Sequence, residues 1–149
     1  MVTARKIVRE ARVEDLGQIL RLLYQLSPPG PGGETDRETG SPLIARLIGN
    51  PDYCLCVAEL DGESVGTATL LVQLNLSHGG KPCAHLENVV TDRRFRGKGI
   101  GREMVGFLVA KARESGCYKV ILNCEAKNIP FYKRCGFRTT GEAEMRLTP

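Results

Sequence analysis

Between Val13 and Leu26 the apolar residues Leu16, Ile19, Leu20, Leu23 and Leu26 stand three or four positions apart, which predicts an amphipathic helix. Lys6 to Ala11 before it reads as a short first strand. Ser27-Pro28-Pro29-Gly30-Pro31-Gly32-Gly33 then breaks regular structure. That break is expected to be a loop inside one domain, because the part before it is too short for a core of its own. Ser41 ahead of Pro42 reads as an N-cap and a first helical residue, with Gly49 as the stop and Leu43, Ile44 and Leu47 on the apolar side.

Tyr53 to Leu60 and Glu63 to Leu74 are predicted strands joined by Asp61-Gly62, a strong hairpin signal. Ala84 to Thr91 is the next strand. Gly99 to Ser115 predicts a helix with Ile100, Met104, Phe107, Leu108 and Ala112 inward and Gly116 ending it. Lys119 to Cys124 is nearly all apolar and predicts a strand buried on both faces. Ile129 to Arg134 predicts a short helix stopped near Gly136, and Phe137 to Leu147 one or two final strands. This order predicts an α/β (α+β) fold, a mixed sheet with helices on both faces.

At 149 residues the chain has the size of a single domain, residues 1–149, able to bury about two thirds of its unfolded surface. A net charge of +4 is mild, and the basic residues are spread rather than massed, so neither nucleic acid nor membrane is an expected partner. A small polyanion suffices. Met1 to Arg9 has no apolar core of signal-peptide length, and a cytoplasmic protein is expected. Cys54, Cys56, Cys83, Cys117, Cys124 and Cys135 lack the paired spacing of a zinc site, so no metal is expected; lying mostly in apolar runs, they read as small buried hydrophobes of a reducing compartment.

The candidate chemistry begins at Arg96-Gly97-Lys98-Gly99-Ile100-Gly101, where a strand hands the chain to a helix. The first turn of a helix leaves backbone N–H groups unpaired and carries partial positive charge, so an anion such as a diphosphate docks there if no Cβ intervenes. A plain loop gives the same string. Neither a Walker loop nor a dinucleotide fingerprint fits: Gly-Lys followed by Ser or Thr is absent, and the glycines come late in the chain.

The order Arg-x-x-Gly-x-Gly, with Glu87-Asn88-Val89-Val90-Thr91 before it and Asn128-Ile129-Pro130-Phe131-Tyr132-Lys133-Arg134-Cys135-Gly136-Phe137 after it, resembles the GNAT superfamily of N-acetyltransferases. The resemblance implies the GNAT fold, a mostly antiparallel sheet of six to seven strands whose fourth and fifth strands splay apart to admit the pantetheine arm of acetyl-CoA. It implies that Arg96, Gly97, Lys98, Gly99, Ile100, Gly101 and Arg102 hold the pyrophosphate, and that Val89, Val90 and Thr91 pair with pantetheine like an added strand. Val89 N–H, at a bulge, becomes the oxyanion donor. Tyr132 lies beside the sulfur as acid for the thiolate. Asn123, Asn128, Lys133 and Arg134 join the cofactor site, Asn128 as a support for the loop. Glu87 is the carboxylate in the strand leading into the cleft, as base through water or as a holder of the ammonium group.

One branch is matched especially. His85-Leu86-Glu87-Asn88-Val89-Val90, then Cys117-Tyr118-Lys119, then Phe131 to Phe137 resemble the glucosamine-6-phosphate N-acetyltransferases. That resemblance implies an amino-sugar phosphate as the small-molecule amine, contacts from His78, Glu87 and Asn88, and Tyr118 and Lys119 contributed across a homodimer interface. The chain departs from the branch at Asn88 and Asn123, where it has aspartates, and at Thr148, where an arginine stands. A protein or peptide N-acetyltransferase, with Ser27 to Glu34 shaping a groove, and a non-catalytic acyl-CoA-binding module are the other two readings.

Overall fold

A computed structural model describes residues 3–149. Its elements in chain order are β1 (Lys6–Glu10), α1 (Leu16–Leu26), α2 (Arg37–Gly49), β2 (Tyr53–Leu60), β3 (Glu63–Gln73), β4 (Cys83–Thr91), α3 (Ile100–Glu114), β5 (Lys119–Ile121) and α4 (Ile129–Arg134). The five strands form one sheet in the order β1-β2-β3-β4-β5. The first three pairings are antiparallel, and β4 with β5 is parallel, so the sheet is mixed as expected. The β2–β3 hairpin turns on Asp61 and Gly62, at φ 51° and 84°. Positive φ at both central positions is the turn whose twist matches the strands, and Asp-Gly supplies it.

Alternation along β2 divides the core. Cys56 and Ala58 face α3, joining Val65, Ala68, Leu70, Ala84, Leu86, Ile100, Met104, Val105, Leu108 and Ala112, all buried. Leu55 and Val57 face the opposite way, onto Ile19 and Ile44 of α1 and α2. Helices therefore cover both faces. None of the helices among the described residues is long and apolar enough to cross a membrane.

Four expectations need correction. The second helix begins at Arg37, not Pro42, because Asp36 caps it by accepting from Thr39 N–H at 2.8 Å. Pro42 then sits inside, where its missing donor releases only the carbonyl of exposed Glu38, and Leu43 is 49% exposed rather than core. In α1 the deepest side chains are Ile19 and Leu22, while Leu26 is exposed, since the helix leans on β3 and β4 through a different stripe. The fifth strand has only three residues, exposed at both ends and half-buried between, instead of being buried on two faces. No strand follows it among the described residues. Phe137 to Leu147 has no regular structure and is mostly exposed, which leaves β5 as a bare edge and the sheet at five strands, not six or seven.

Candidate active site

The edge of β4 next to β5 is where the site is built. β5 pairs only with Cys83, Ala84 and His85, while β4 runs on to Thr91, so on this side Leu86 to Thr91 have no strand beside them among the described residues. This is the splay expected between the fourth and fifth strands. On its other side β4 slips against β3: Thr69 faces Glu87 and Thr67 faces Val90, two steps matched by three. The extra residue makes a bulge. Asn88 takes the left-handed conformation there at φ 53°, which an asparagine adopts more readily than a branched residue. Glu87 and Asn88 are exposed, and Val89 is half-buried.

β4 turns through Arg93–Phe95 into the glycine loop. Gly97 and Gly99 hold φ 78° and 79°, and a Cβ at either would meet nothing within 4 Å. The backbone geometry demands glycine, and the space in front is open. Gly99 caps α3 without a side chain, so the amides that open the helix have no capping oxygen of their own. Arg96 Nε donates to Thr91 O at 3.1 Å, and Lys98 Nζ lies 5.4 Å from the Phe95 ring centre. Gly101 differs from its neighbours. A Cβ there would come within 3.1 Å of the Phe131 ring and 3.4 Å of Thr91 Oγ1. The third glycine therefore lets α4 close against α3.

A cleft of about 500 Å³ lies between β5, α4 and the chain beyond Phe137, and Asn123, Cys124, Tyr132 and Lys133 are on its walls. Tyr132 is half-buried, edge-on to Phe131 at 4.9 Å and to Phe137 at 6.0 Å. Burial, with the nearby Cys124 and Cys135, pushes its phenol up to about 12. Burial raises the Cys135 thiol as well, while Arg102 and Arg134 pull the other way, so the start of α3 and the end of α4 bring two guanidinium groups to one corner. Asn128 precedes α4, and its side chain makes no cap.

His78, Tyr118 and Lys119 form a second group. The His78 and Tyr118 rings stack at 4.0 Å and 10°, and Lys119 Nζ lies 5.5 Å from the Tyr118 centre. Tyr118 N–H donates to Pro82 O at 3.0 Å, fixing the ring beside the loop that carries His78. Lys119 is opposite Cys83, four residues along β4 from Glu87, a separation of roughly 13 Å at strand pitch. Within one chain this group stands apart from Glu87 and Asn88.

Asp92 has no counterpart in the sequence reading. It is 1% exposed at the end of β4, and receives Arg21 Nη1 at 2.7 Å and Arg94 Nη2 at 3.0 Å. Its carboxyl also accepts Arg94 N–H at 3.0 Å. The Arg94 and Arg21 guanidinium groups hold it well below the usual carboxylate range despite burial. An aspartate just after an apolar strand reads as a solvated strand end, and no local pattern pairs it with an arginine 71 residues earlier.

The cysteines follow the sequence reading in part. Cys56 and Cys83 are buried, Cys54, Cys117 and Cys135 are half-buried, and Cys124 is exposed; all six are free thiols.

Residues 17–137 match the model of the acetyltransferase (GNAT) family. The chain is 43% identical over 146 residues to a glucosamine 6-phosphate N-acetyltransferase of Trypanosoma brucei brucei, covering 94% of this chain and 93% of that one. Its fold superposes on a putative acetyltransferase from Agrobacterium tumefaciens with a TM-score of 0.87 at 32% identity, over 95% of this chain and 99% of the other. The glucosamine-6-phosphate N-acetyltransferase of Arabidopsis thaliana gives the same TM-score, 0.87, at 29% identity, over 97% of this chain and 99% of the other. With the β5-side edge of its fourth strand open beyond His85, its glycine loop and these likenesses, the chain belongs to the acetyltransferase (GNAT) family and is an N-acetyltransferase.

Proposed function

We propose that this N-acetyltransferase moves the acetyl group of acetyl-CoA directly to the primary amine of an amino-sugar phosphate, glucosamine 6-phosphate first. The observation that carries the reading is the open β5-side edge of β4 running straight into the open glycine loop, with Tyr132 on the wall of the cleft between β5 and α4. Relatives named for glucosamine 6-phosphate support the acceptor.

In this reading the amides from Gly97 to Arg102 receive the pyrophosphate, with Arg96, Lys98, Arg102 and Arg134 adding charge. Val89 to Thr91 pair with pantetheine, and Asn123, Asn128 and Lys133 complete the cofactor's surroundings. The amine attacks the thioester carbonyl, and the carbonyl oxygen, now an oxyanion, takes the N–H of Val89. The carbon–sulfur bond then breaks. Tyr132 O–H gives its proton to the departing thiolate and regains one from solvent, while the proton lost by nitrogen goes to Glu87, directly or through water. A phenol held near 12 keeps its proton at working pH, as a donor must.

The acceptor's phosphate is read by Lys119, beside the stacked His78 and Tyr118, and these residues come from the second copy of a homodimer. The distance along β4 within one chain, the bare edge of β5 and the exposed Met145 and Leu147 support that assembly. Asn88 and Asn123 place amides, which both donate and accept, where the amino-sugar-phosphate branch has carboxylates, and Thr148 supplies no guanidinium. Lys119 therefore carries more of the phosphate contact. The whole chain acts as one cytoplasmic domain, with a small-molecule amine and neither nucleic acid nor membrane as partner.

The test is release of free thiol from acetyl-CoA with glucosamine 6-phosphate, glucosamine and simple amines, in wild type and Lys119→Ala. The KM for the phosphorylated sugar should rise about tenfold in the variant, and that for plain glucosamine should hold within about threefold. Equal rates for both sugars in both proteins would refute the phosphate acceptor and leave the acetyltransferase intact.

A further inference from the structure

The turn between β4 and the glycine loop is gripped from two elements that are remote in sequence. On α1, Arg21 and Gln25 stand one helical turn apart and face it together. Arg21 Nη1 donates to Asp92 at 2.7 Å, its Nη2 to Ser64 O at 2.8 Å, and Gln25 Oε1 accepts Arg93 N–H at 3.0 Å. Gln18, on the same helix, accepts from Arg21 Nε at 3.3 Å and so steadies the guanidinium. From the β2–β3 hairpin, Glu63 pairs with Arg94, and Val65 O accepts Asp92 N–H at 2.8 Å. Every backbone group from Asp92 to Arg94 that these contacts fix lies within five residues of Gly97. Beyond the turn, Phe95 packs against the core with Arg94 5.0 Å and Lys98 5.4 Å from its centre.

We propose that Asp92, held by Arg21 and seconded by Gln25, is a positioning residue that sets the glycine loop in its anion-receiving shape before acetyl-CoA arrives. The proposal rests on the acetyl-CoA reading and deepens it. A loop whose two glycines both need positive φ has many other conformations to visit, and ordering it on binding would weaken affinity. The clamp removes that freedom beforehand. Asp92 touches neither the anion nor the acyl group, so its effect passes through the backbone it holds.

Charge and positioning predict opposite signs at Asp92, which makes the inference testable. Asp92→Asn removes a negative charge close to a site for a polyanion, so a purely electrostatic role predicts tighter coenzyme A binding. Arg21→Met removes a positive charge, and Gln25→Ala changes none. If the clamp positions the loop, all three variants bind coenzyme A more weakly whatever the change in charge.

The measurement is calorimetry with coenzyme A on the folded proteins, well below their melting temperatures, at about 0.05 and about 0.5 M salt. The expected rise in Kd is about tenfold for Asp92→Asn and Arg21→Met and about threefold for Gln25→Ala, persisting at the higher salt. Amide exchange in residues 94 to 102 of the free variants should quicken, and kcat at saturating acetyl-CoA should change far less than KM. Gln25→Ala keeps the test open if the buried substitutions misfold, because its contact is exposed. Tighter binding by Asp92→Asn, or unchanged affinity in Gln25→Ala and every folded variant, overturns the clamp while wild-type binding upholds the acetyl-CoA site. Wild type that fails to bind coenzyme A overturns both.

Discussion

Replacing Tyr132 by phenylalanine keeps the ring packed between Phe131 and Phe137 and removes only the hydroxyl. Stability should therefore change little, and the effect should fall on chemistry. With the phenol pushed up to about 12, about one molecule in ten thousand carries phenolate at pH 8. The resting group is thus a donor, and a role as base toward the amine is closed to it. Loss of a positioned acid should lower turnover by about 10² to 10⁴, or about 2.7 to 5.5 kcal/mol of transition-state stabilisation. The assay is single-turnover thiol release with acetyl-CoA and enzyme premixed and acceptor added, so that product release does not hide the chemical step. Affinity for coenzyme A should stay within about threefold, since the hydroxyl is not expected to hold the ground state. The pH profile gives a second reading. Because burial raises this group, its descending alkaline limb should fall above pH 10, nearer 12. A loss of less than about threefold in the single-turnover rate, or a limb from this residue near the ordinary phenol value of about 10, would refute the reasoning.

Gly99→Ala should weaken coenzyme A binding at least about tenfold, because φ 79° strains a side-chain-bearing residue by about 1–2 kcal/mol and the added methyl enters the open space before the loop; calorimetry on folded protein checks it. Leu108→Ala, at a fully buried position between α3 and the sheet, should cost about 2.7–5 kcal/mol of stability by urea unfolding without touching the cleft. Asp92 binds its proton less readily folded than unfolded, so its stabilisation is full above the ordinary carboxylate pKa and is lost progressively as pH falls from there through its lowered folded value. Acid unfolding of Asp92→Asn should accordingly be less steep than that of wild type below about pH 4.

The parts of the fold legible in the sequence are those written by local chemistry. Asp61-Gly62 specifies its turn from two residues, and the spacing of Ile100, Met104 and Leu108 specifies the buried face of α3. Gly97 and Gly99 were readable because backbone angles near φ 78° favour glycine over residues with a side chain. What failed was decided at a distance. Val120, Ile121 and Leu122 have the apolar run of a central strand, yet among the described residues no sixth strand covers them, and composition alone does not say whether a neighbour exists. Ser41-Pro42 has the form of a helix start, but Asp36 and Thr39 had already made one, and a proline within a helix is tolerated when the carbonyl it abandons faces water. At the site, the bulge at Asn88 and the open edge beyond His85 agree with what the resemblance implied. The Arg21–Asp92–Arg94 cluster was invisible because Arg21, on α1, reaches the turn that holds Asp92 and Arg94 from 71 residues away.

The bulge in β4 has a genetic consequence. Val90 already faces Thr67 and Thr91 already faces Gly66, while Glu87 faces Thr69, so loss of the single residue Asn88 would bring Val89 opposite Ala68 and close the ladder on a regular pitch. Every residue downstream would keep its partner. The sheet, its core and the glycine loop should survive such a deletion, while the Val89 N–H that the proposed reaction uses would join a regular ladder. One codon therefore decides whether the bulge exists, and under the role proposed for Val89 its deletion should abolish acetyl transfer while coenzyme A binding persists.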